Sequence, residues 1–308
     1  MNAPLLVIIN PSSGNGKGIK TWNKIKPLLI KEAIAFESII TTKPKDACHY
    51  TVSNIKKGIR TFIVVGGDGT LNEVTNGIMS QTHCPTSDIT LGIIPNGTGN
   101  DFARTLNIPH SINALASIIK NHKKTLIDIG RVKYKSGSKT DNAFFINMLG
   151  FGFDVSVNKL AIQLSSSGYK GILIYLYCMI KTVISYKKRD VSIKVDNTIH
   201  SFPKTFSICI ANGIFHGGGV RQAPNANPSD GIFHVSVIHT LKNISAFLNL
   251  PNFYSGKFIE KSFANELTGK SFELLSENNV EVELDGEILE GTPNKIDIMP
   301  GAINFIIQ

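Results

Sequence analysis

The stretch of sequence that decides the fold is Val64-Val65-Gly66-Gly67-Asp68-Gly69-Thr70-Leu71-Asn72-Glu73. In this stretch an apolar run, typical of a buried strand, leads into three glycines, and a helical pattern follows. Glycines let backbone N–H groups approach a bound anion without collision with a side chain, and the first turn of a helix adds unpaired N–H groups and a positive dipole end. The stretch therefore predicts a phosphate-binding loop between a strand and a helix.

Asp68 lies among these glycines, and its negative charge cannot serve to attract a phosphate. A carboxylate beside phosphates indicates a bound magnesium ion or a proton acceptor. The alternative is an ordinary Gly-Asp-Gly turn in which Asp68 caps the helix. The complete strand-to-helix context favours the phosphate site.

A second loop of small residues, Asn10–Gly18, follows the first apolar run of the chain. It is not a Walker A loop, because Pro11 stands where a glycine is required and Gly18 stands where Ser or Thr is required. The loop is nevertheless well placed to contact a nucleotide, since ligands bind at the carboxyl ends of parallel strands.

A third loop, Ile94–Arg104, occupies the same place in the alternation of strands and helices. We expect it to open at the same sheet edge as the other two loops. Thr98 in this loop can donate a hydrogen bond to a phosphate oxygen. Asp101 either caps a helix or orients the site through a water molecule.

The first 125 residues alternate short apolar runs with helical patterns, which predicts a Rossmann-like parallel α/β domain. The runs are apolar almost throughout, as expected for strands that are covered on both faces. We expect strands at Leu5–Ile9, Phe36–Ile40, Thr61–Val65 and Thr90–Ile94, and helices near 18–34, 44–57, 70–80 and 99–120.

The remainder of the chain, residues 126–308, is rich in short β-type runs, which predicts a β-sandwich domain with a helical insertion near 156–187. The last strand of the chain is compatible with a return to the sheet of the first domain. The predicted strands are Leu126–Tyr134, Phe144–Leu149, Val191–Val195, Thr205–Ala211, Ile232–Ile238, Ser271–Leu275, Val280–Leu284, Ile296–Met299 and Ile303–Ile307.

The chain has 308 residues and a formal net charge of +9, which favours an anionic partner such as a nucleotide or a negatively charged membrane. Its four cysteines are scattered singly, which argues against a structural zinc site and is typical of a reducing compartment. There is no signal peptide pattern and no apolar run long enough to span a bilayer. We therefore expect a cytoplasmic protein.

The run of residues 168–189 is apolar and aromatic and ends in Lys187-Lys188-Arg189. It is too short to span a bilayer but suits a helix that lies at the membrane interface. The alternative is a helix that packs against the β domain, and the two descriptions are compatible with each other.

Gly217–Gly219, preceded by His216, has the composition of an esterase oxyanion loop. No Gly-x-Ser-x-Gly segment accompanies it, which argues against a hydrolase. We expect these glycines to form a tight turn at the border of the interdomain cleft.

Several segments, in this order, resemble the diacylglycerol kinase catalytic-domain family, which includes bacterial lipid kinases and sphingosine kinases. GGDGT alone is also similar to NAD kinases and phosphofructokinases, but its combination with the other segments is specific. The resemblance covers essentially the whole chain. The segments are NPSSG (10–14), GGDGTLNEV (66–74), PNGTGNDFAR (95–104), FINMLGFGFD (145–154) and ELDGE (283–287).

The resemblance implies an NAD kinase/diacylglycerol kinase-like first domain, ATP as phosphoryl donor, Mg²⁺ as cofactor and a lipid hydroxyl, such as that of diacylglycerol, as acceptor. The positions that match the ATP-binding residues of the family are Asn10, Pro11, Ser12, Ser13, Gly14, Thr41, Gly66, Gly67, Asp68, Gly69, Thr70, Leu71, Asn72 and Thr98.

The resemblance also implies the catalytic groups. Asp285 and Glu287 match the late acidic pair from which the family draws its general base, and the sequence leaves the choice between them open. Asp68 would help to position the metal ion. Because the acidic pair and the phosphate loops come from different domains, we expect the active site in the cleft between them, with closure on binding.

In bacterial members of the family a structural Mg²⁺ is held by a turn that matches 227–232. The resemblance implies the side chain of Asp230 and the carbonyls of Asn227 and Ile232 as ligands. Ser229 stands where a further Asp is common, so we expect weaker binding of this ion.

The expected partners are the lipid substrate at a membrane surface and, through peripheral contact, an anionic membrane. No nucleic acid is expected, and a homodimer is compatible with the sequence. Two other functions stay open. An NAD kinase shares the GGDGT loop but would not need the Ile94–Arg104 loop, and a catalytically inactive lipid- or nucleotide-sensing protein would not need Asp68, Asp285 and Glu287.

Overall fold

The computed structural model describes residues 4–166, 172–275 and 281–308. The helices of the chain are α1 (Ser13–Gly16), α2 (Gly18–Lys31), α3 (Asp46–Lys56), α4 (Asp68–Ser80), α5 (Asp101–Thr105), α6 (Ile112–Asn121), α7 (Phe153–Ser166), α8 (Ile172–Ser185), α9 (Asn243–Leu248) and α10 (Leu250–Ser255). The strands are β1 (Leu5–Ile9), β2 (Phe36–Ile40), β3 (Thr61–Gly66), β4 (Thr90–Pro95), β5 (Lys124–Ser136), β6 (Lys139–Phe145), β7 (Met148–Gly152), β8 (Arg189–Val195), β9 (Thr198–Ala211), β10 (Phe233–His239), β11 (Ala264–Gly269), β12 (Ser271–Leu274), β13 (Val282–Leu284), β14 (Glu287–Ile288) and β15 (Thr292–Ile306).

The first domain is an α/β domain whose parallel strands lie in the order β4-β3-β1-β2. Strands β1, β3 and β4 are buried almost throughout, which explains why their sequences are continuously apolar. The predicted parallel sheet is confirmed. The predicted single helix at 99–120 is wrong, because the chain forms two helices, α5 and α6, on either side of Pro109, whose ring and missing N–H disfavour a continuous helix.

Two long antiparallel strands, β5 and β15, run side by side through both halves of the molecule. At its end β15 also pairs in parallel with β4, with Asn304 opposite Thr90 and Phe305 opposite Leu91. The chain end therefore adds a strand to the first sheet. The two predicted strands at 296–299 and 303–307 are one strand with a register irregularity between Met299 and Ile303.

The second domain is rich in antiparallel strands, in the order β14-β13-β7-β9-β8-β12-β15, while β10 pairs with β9 and β11. The predicted strand Phe144–Leu149 is interrupted, because β6 ends at Phe145 and β7 begins at Met148. The sequence did not predict β11, α9 or α10. Residues 168–171 and residue 280, which two of the predictions include, lie outside the described residues.

Separate apolar clusters stabilise the two halves, one around the parallel sheet and one among the antiparallel strands. A further cluster holds α7, α8, α9 and α10 on the second domain through aromatic residues such as Phe153, Phe206 and Phe253. The predicted helical insertion is therefore packed on the β-rich domain. Within the described ranges, no helix has the length and apolar character needed to cross a bilayer.

Candidate active site

The glycine loops after β3 and β4 lie in direct backbone contact. A Cβ atom added to Gly67 would lie 2.8 Å from the Cα atom of Gly97, and one added to Gly97 would lie 2.6 Å from the Cα atom of Gly67. Any side chain at either position would push the loops apart. These two glycines are therefore required for the loops to meet, a role that the sequence alone did not reveal.

The loop after β1, which contains Pro11 and Ser12, joins the same group. Asn10 Nδ2 donates a hydrogen bond to Thr70 Oγ1 at 2.9 Å, which ties this loop to α4. Asn96 Nδ2 donates to Ser13 Oγ at 2.8 Å. Gly14 packs against the same Asn96 with a φ of 57°, and a Cβ atom there would lie 2.3 Å from Asn96 O. Asn96, which was not among the predicted site residues, thus fixes the first loop to the third.

The amino end of α4 faces open space at Gly69, where an added Cβ atom would meet no atom within 4 Å. Gly66, by contrast, packs closely against Thr70, with 2.8 Å from its added Cβ to Thr70 Oγ1. Leu71 is fully buried in the first core, and its N–H donates to Gly67 O. Of the predicted nucleotide-binding residues, Leu71 therefore anchors the helix and has no group free to contact a ligand.

Asp68 and Asp101 form a pair of carboxylates beside the third loop. The Cβ atom that Gly99 lacks would lie 3.2 Å from Asp68 Oδ2 and 3.1 Å from Asp101 Oδ2. Asp101 Oδ2 accepts a hydrogen bond from Gly218 N at 2.9 Å, whereas Asp101 Oδ1 is buried without a partner among the described residues. Burial, and next the charge of Asp101, raise the pKa of Asp68.

Such a pair suits a divalent cation. Two carboxylates that repel each other, one with an unpaired buried oxygen, are the oxygen ligands that Mg²⁺ combines with substrate phosphates. A cation between them would remove the repulsion that raises the pKa of Asp68. The residues present therefore fit the Mg²⁺ that the sequence resemblance implies.

Asp285 lies at the joint between the two domains and is only 8% exposed. Its Oδ2 accepts hydrogen bonds from Asn72 Nδ2 at 2.7 Å and Ile146 N at 2.8 Å. Its Oδ1 accepts from Asn147 N at 3.0 Å and Met148 N at 2.9 Å. Burial raises the pKa of Asp285, and the four donated hydrogen bonds oppose this effect.

The same contacts change the assignment of Asn72. Its side chain also donates to Phe144 O at 3.1 Å, and its Oδ1 accepts from Asn76 at 3.0 Å. Asn72 was predicted to bind the nucleotide, but its amide is occupied by residues of the second domain and by Asn76. It connects the phosphate loop to Asp285.

Glu287, the other member of the late acidic pair, is exposed at the start of β14. Although its surface is exposed, neighbouring protein atoms partly desolvate the carboxylate of Glu287, and this desolvation and next the charge of Glu73 raise its pKa, while Lys45 opposes them. Glu73 itself accepts hydrogen bonds from Lys45 N at 2.9 Å and Ala47 N at 3.1 Å at the start of α3. Among the residues that the structure describes, none forms a hydrogen bond that fixes the Glu287 side chain, in contrast to Asp285.

Thr41, the weakest of the predicted nucleotide-binding positions, follows β2 and is 8% exposed. Its N–H and its hydroxyl both donate to Ile9 O, at 2.9 and 3.4 Å. Thr41 thus packs on the end of β1, close to the first loop. Its hydroxyl is turned toward the strand.

A cleft of about 660 Å³ brings the functional groups of both domains together. Asp68, Thr98 and Asp101 come from the first domain, and Asp285 comes from the second. His216, Gly217 and Gly218 also line it, as expected for a turn at the cleft border.

A buried polar cluster forms the far wall of this cleft. His216 Nε2 lies 2.9 Å from Glu283 Oε1, and Asn158 donates a short hydrogen bond to the other oxygen of Glu283. Burial lowers the pKa of His216, but the hydrogen bond and charge of Glu283, followed by the charges of Asp154 and Asp101, raise it to about 10. The imidazole is therefore held in its charged form at neutral pH.

An apolar pocket of about 110 Å³ adjoins this wall. It is enclosed by helices α7, α8, α9 and α10, with Val157, Met179, Val183 and Phe247 among its lining residues. His216 lines both the cleft and the apolar pocket. The polar site is thus continuous with an apolar one.

The turn 227–232, predicted to hold a structural Mg²⁺, is closed by hydrogen bonds. Ile232 N donates to Asp230 Oδ1 at 3.1 Å, and Gly231 N donates to Asp128 Oδ2 at 2.7 Å. Ser229 N donates to Asn227 Oδ1 at 3.2 Å. In the part of the chain that the structure describes, no group of three or more His, Cys, Asp or Glu side chains could hold a metal. The donors are oxygens, as Mg²⁺ prefers, but they include one carboxylate only, so this ion stays a prediction.

Comparisons with known proteins agree with this architecture. The profile of the "Diacylglycerol kinase catalytic domain" matches residues 4–132, and that of the "YegS C-terminal NAD kinase beta sandwich-like domain" matches residues 147–307. The chain belongs to the diacylglycerol kinase catalytic-domain family.

Relatives within this family cover most of the chain. "Putative lipid kinase YtlR" of Bacillus subtilis (strain 168) is 26% identical over 308 residues, which is 97% of this chain and 97% of the relative. A "Putative lipid kinase" of Staphylococcus aureus (strain Mu3) is 30% identical over 261 residues, which is 82% of this chain and 79% of the relative. The crystal structure of "a putative diacylglycerol kinase from Bacillus anthracis str. Sterne" has a TM-score of 0.74 at 27% identity and covers 99% of this chain and 97% of that one.

The sequence did not single out Glu283 and Asn158 as residues of the cleft, and it placed His216 at the cleft border without its contact to Glu283. One signal could have found Glu283, because acids alternate with apolar residues in Glu281-Val282-Glu283-Leu284-Asp285, which places these acids on one face of an extended segment. His216 and Asn158 lie in a turn and in a helix that are distant in sequence, and no local pattern connects them.

Proposed function

We propose that this protein transfers the γ-phosphoryl group of ATP to a hydroxyl group of a membrane lipid, in the first instance diacylglycerol. The observation that carries this proposal is the shared cleft. Asp68 beside the glycine loops and Asp285 from the other domain line one cleft, and an apolar pocket adjoins it. A phosphate site, acidic groups and an apolar pocket are the three features that lipid phosphorylation requires.

The nucleotide is proposed to bind at the amino end of α4. Helix α4 has unpaired N–H groups in its first turn, and open space surrounds Gly69. Asp68 and Asp101 would hold Mg²⁺ on the triphosphate, and the ion would supply neutralisation of the phosphate charge. The first loop contributes through Asn10 and Ser13, which hold it against α4 and the third loop.

Glu287, which follows the cleft-lining residues Asp285 and Gly286 but does not itself line the cleft, is proposed as the proton acceptor for the attacking hydroxyl. Its raised pKa brings it closer to the operating pH of a general base, and its carboxylate is exposed. Asp285 has both oxygens occupied by four donors, which leaves it a positioning role at the joint of the domains. These contacts support Glu287 over Asp285 as the proposed base, a choice that the sequence left open.

The apolar pocket supports a lipid over a soluble dinucleotide as acceptor. Its lining between α7 and α10 is mainly aliphatic and aromatic, as expected where part of a hydrocarbon chain is bound. An NAD kinase would need hydrogen-bonding groups for a nicotinamide and a second ribose at this place. The intact carboxylates of the cleft argue against an inactive sensor.

The test is incubation of the purified protein with Mg²⁺, ATP labelled in its γ-phosphate and a panel of lipids in mixed micelles. Label should enter the organic phase and comigrate with a phosphorylated lipid. Label in NADP when NAD is offered would replace the proposal with an NAD kinase. No transfer to any lipid or to NAD would favour the inactive sensor.

A further inference from the structure

The three most exposed large apolar side chains of the described residues are all on helices α8 and α9. Leu248 is 77% exposed, and Ile184 and Ile244 are each 74% exposed. On α8, Tyr177 and Ile180 lie on the same helix face as Ile184, at spacings of three and four residues, and both are exposed. Exposed apolar groups concentrated in one place indicate a surface that binds another body.

The two helices present these residues side by side. Helix α8 packs against α9, and Asn243 Nδ2 donates a hydrogen bond to Tyr186 O at 2.9 Å. Ile244 follows Asn243, and Ile184 precedes Tyr186 by two residues, so the bond holds both isoleucines near the same junction. We call the surface formed by Tyr177, Ile180, Ile184, Ile244 and Leu248 the α8–α9 face.

The charged residues on helices α8 and α9 and directly beside them are cations, up to the exposed Asp190 that follows Arg189. Lys181, Lys187, Arg189 and Lys242 are exposed, and none of them forms an ion pair within the described ranges. No Asp or Glu occurs between residues 172 and 189 or between residues 240 and 259. Apolar side chains flanked by unpaired cations suit a surface that is apolar inside and anionic outside.

The face also lies over the apolar pocket. Val183, which lines the pocket, is next to Ile184, and Phe247, which also lines it, is next to Leu248. The buried sides of α8 and α9 thus bound the pocket, while their exposed sides form the face. A lipid in a bilayer at this face would therefore lie close to the apolar pocket and to the cleft beside it, on the other side of helices α8 and α9.

We propose that the α8–α9 face docks on an anionic lipid bilayer, with Ile184, Ile244 and Leu248 inserted among the acyl chains. A second copy of this chain is a poorer occupant. A two-fold dimer through the face would place its lysines and arginine opposite those of the partner, without acids to pair them. This inference rests on the proposed lipid kinase function, because a kinase that phosphorylates a membrane lipid must bind a bilayer near its apolar pocket.

The experiment measures vesicle binding without ATP. The full-length protein is sedimented with vesicles of phosphatidylcholine alone or mixed with phosphatidylglycerol, and Ile184→Ser/Ile244→Ser/Leu248→Ser is compared with the wild type. Each substitution should weaken partition by about tenfold, so the triple variant should lose about 1,000-fold. Ile30→Ser/Ile199→Ser is the matched control, since Ile30 and Ile199 are 60% and 62% exposed on α2 and β9. The control should bind like the wild type.

A second arm tests charge. Lys181→Gln/Lys187→Gln/Lys242→Gln should remove the preference for vesicles that contain phosphatidylglycerol, by about fivefold for each lysine at low salt. Phosphorylation of a short-chain diacylglycerol dissolved as monomers should stay within about twofold of the wild type in every variant. If the wild type phosphorylates neither this soluble diacylglycerol nor any lipid of the panel, the proposed function is refuted, and the vesicle-binding result stands by itself.

The docking proposal is overturned if the triple serine variant sediments with anionic vesicles as well as the wild type does. It is also overturned if the control variant loses as much binding. If the wild type ignores vesicles but forms a dimer that the triple variant cannot form, then the face belongs to a second copy of the chain.

Discussion

Asp285→Asn separates a structural role of this carboxylate from a catalytic one. Asparagine has nearly the same shape, but one of its two terminal atoms is an NH₂ group that cannot accept hydrogen bonds. In the native protein each oxygen of Asp285 accepts two hydrogen bonds, and the donors are Asn72 Nδ2 and three backbone N–H groups. Whichever way the amide is turned, two donors lose their acceptor.

The magnitude follows from these four bonds. A hydrogen bond to a charged group contributes about 1.5–3 kcal/mol, so the loss of two costs about 3–6 kcal/mol. The amide is neutral and so avoids the desolvation cost of a buried charge, the effect that raises the pKa of Asp285. This saving offsets part of the loss. We expect a net decrease in the free energy of unfolding of about 2–4 kcal/mol. That is a large share of the roughly 5–15 kcal/mol typical of folded proteins.

The assay is urea unfolding at neutral pH, combined with hydrogen exchange of the segment 144–149. The amides of Ile146, Asn147 and Met148 should exchange much faster in the variant, because they lose or weaken their acceptor. Glu287→Gln is the control, since the Glu287 side chain is exposed. If Asp285→Asn abolished phosphorylation while the unfolding midpoint and the exchange stayed at wild-type values, then Asp285 would be the proton acceptor and our assignment would be wrong.

Three further changes test the cleft. Asp68→Ala should lower phosphorylation at least about 100-fold. It should not lower the urea midpoint, because burial and the charge of Asp101 disfavour the charged form of the Asp68 carboxylate. Full activity of this variant would refute the role of Asp68. Glu287→Gln should lower kcat/KM by about 100-fold or more and flatten the acidic limb of the pH profile, and an unchanged profile would refute the base. The pKa of His216 is about 10 in the folded protein and about 6.5 in an unfolded chain. The charged imidazole should therefore stabilise the fold fully below pH ~6.5, and this stabilisation should be lost as the pH rises through about 10. Urea titrations from pH 6.5 to 10 should show this decline in the wild type, and its persistence in Glu283→Gln would refute the pairing.

The sequence predicted most of the first domain because its signals are local. The run Val64–Glu73 contains a strand, a glycine turn and a helix start within ten residues, and each has its own pattern. Strand β3 and helix α4 follow the predicted order, and only their exact ends differ. A helix was wrongly continued through Pro109, where the pattern of apolar residues outweighed the stop signal in our interpretation.

The joint between the domains could not be predicted, because it depends on contacts that are distant in sequence. Asn72 and Asp285 are 213 residues apart, and nothing in either neighbourhood indicates that they are partners. The resemblance to the family implied a nucleotide contact for Asn72, because its position matches one of the family's ATP-binding positions. Only the fold shows that the amide of Asn72 binds Asp285 of the second domain.

The contacts across the cleft floor also bear on how an acceptor would reach the nucleotide under the proposed function. Asn72 binds Asp285, Asp101 accepts a hydrogen bond from Gly218, and Thr105 Oγ1 accepts one from Ile214 N at 3.0 Å. A large rotation of one domain against the other would break these bonds together, so the interdomain closure that the sequence led us to expect is disfavoured by the floor of the cleft. The long strands β5 and β15, which run through both halves, oppose it as well. If the protein acts as proposed, the floor is assembled before the acceptor binds, and the adjoining apolar pocket is the route for the acceptor hydroxyl that this arrangement favours. The α8–α9 face lies on the side of this pocket.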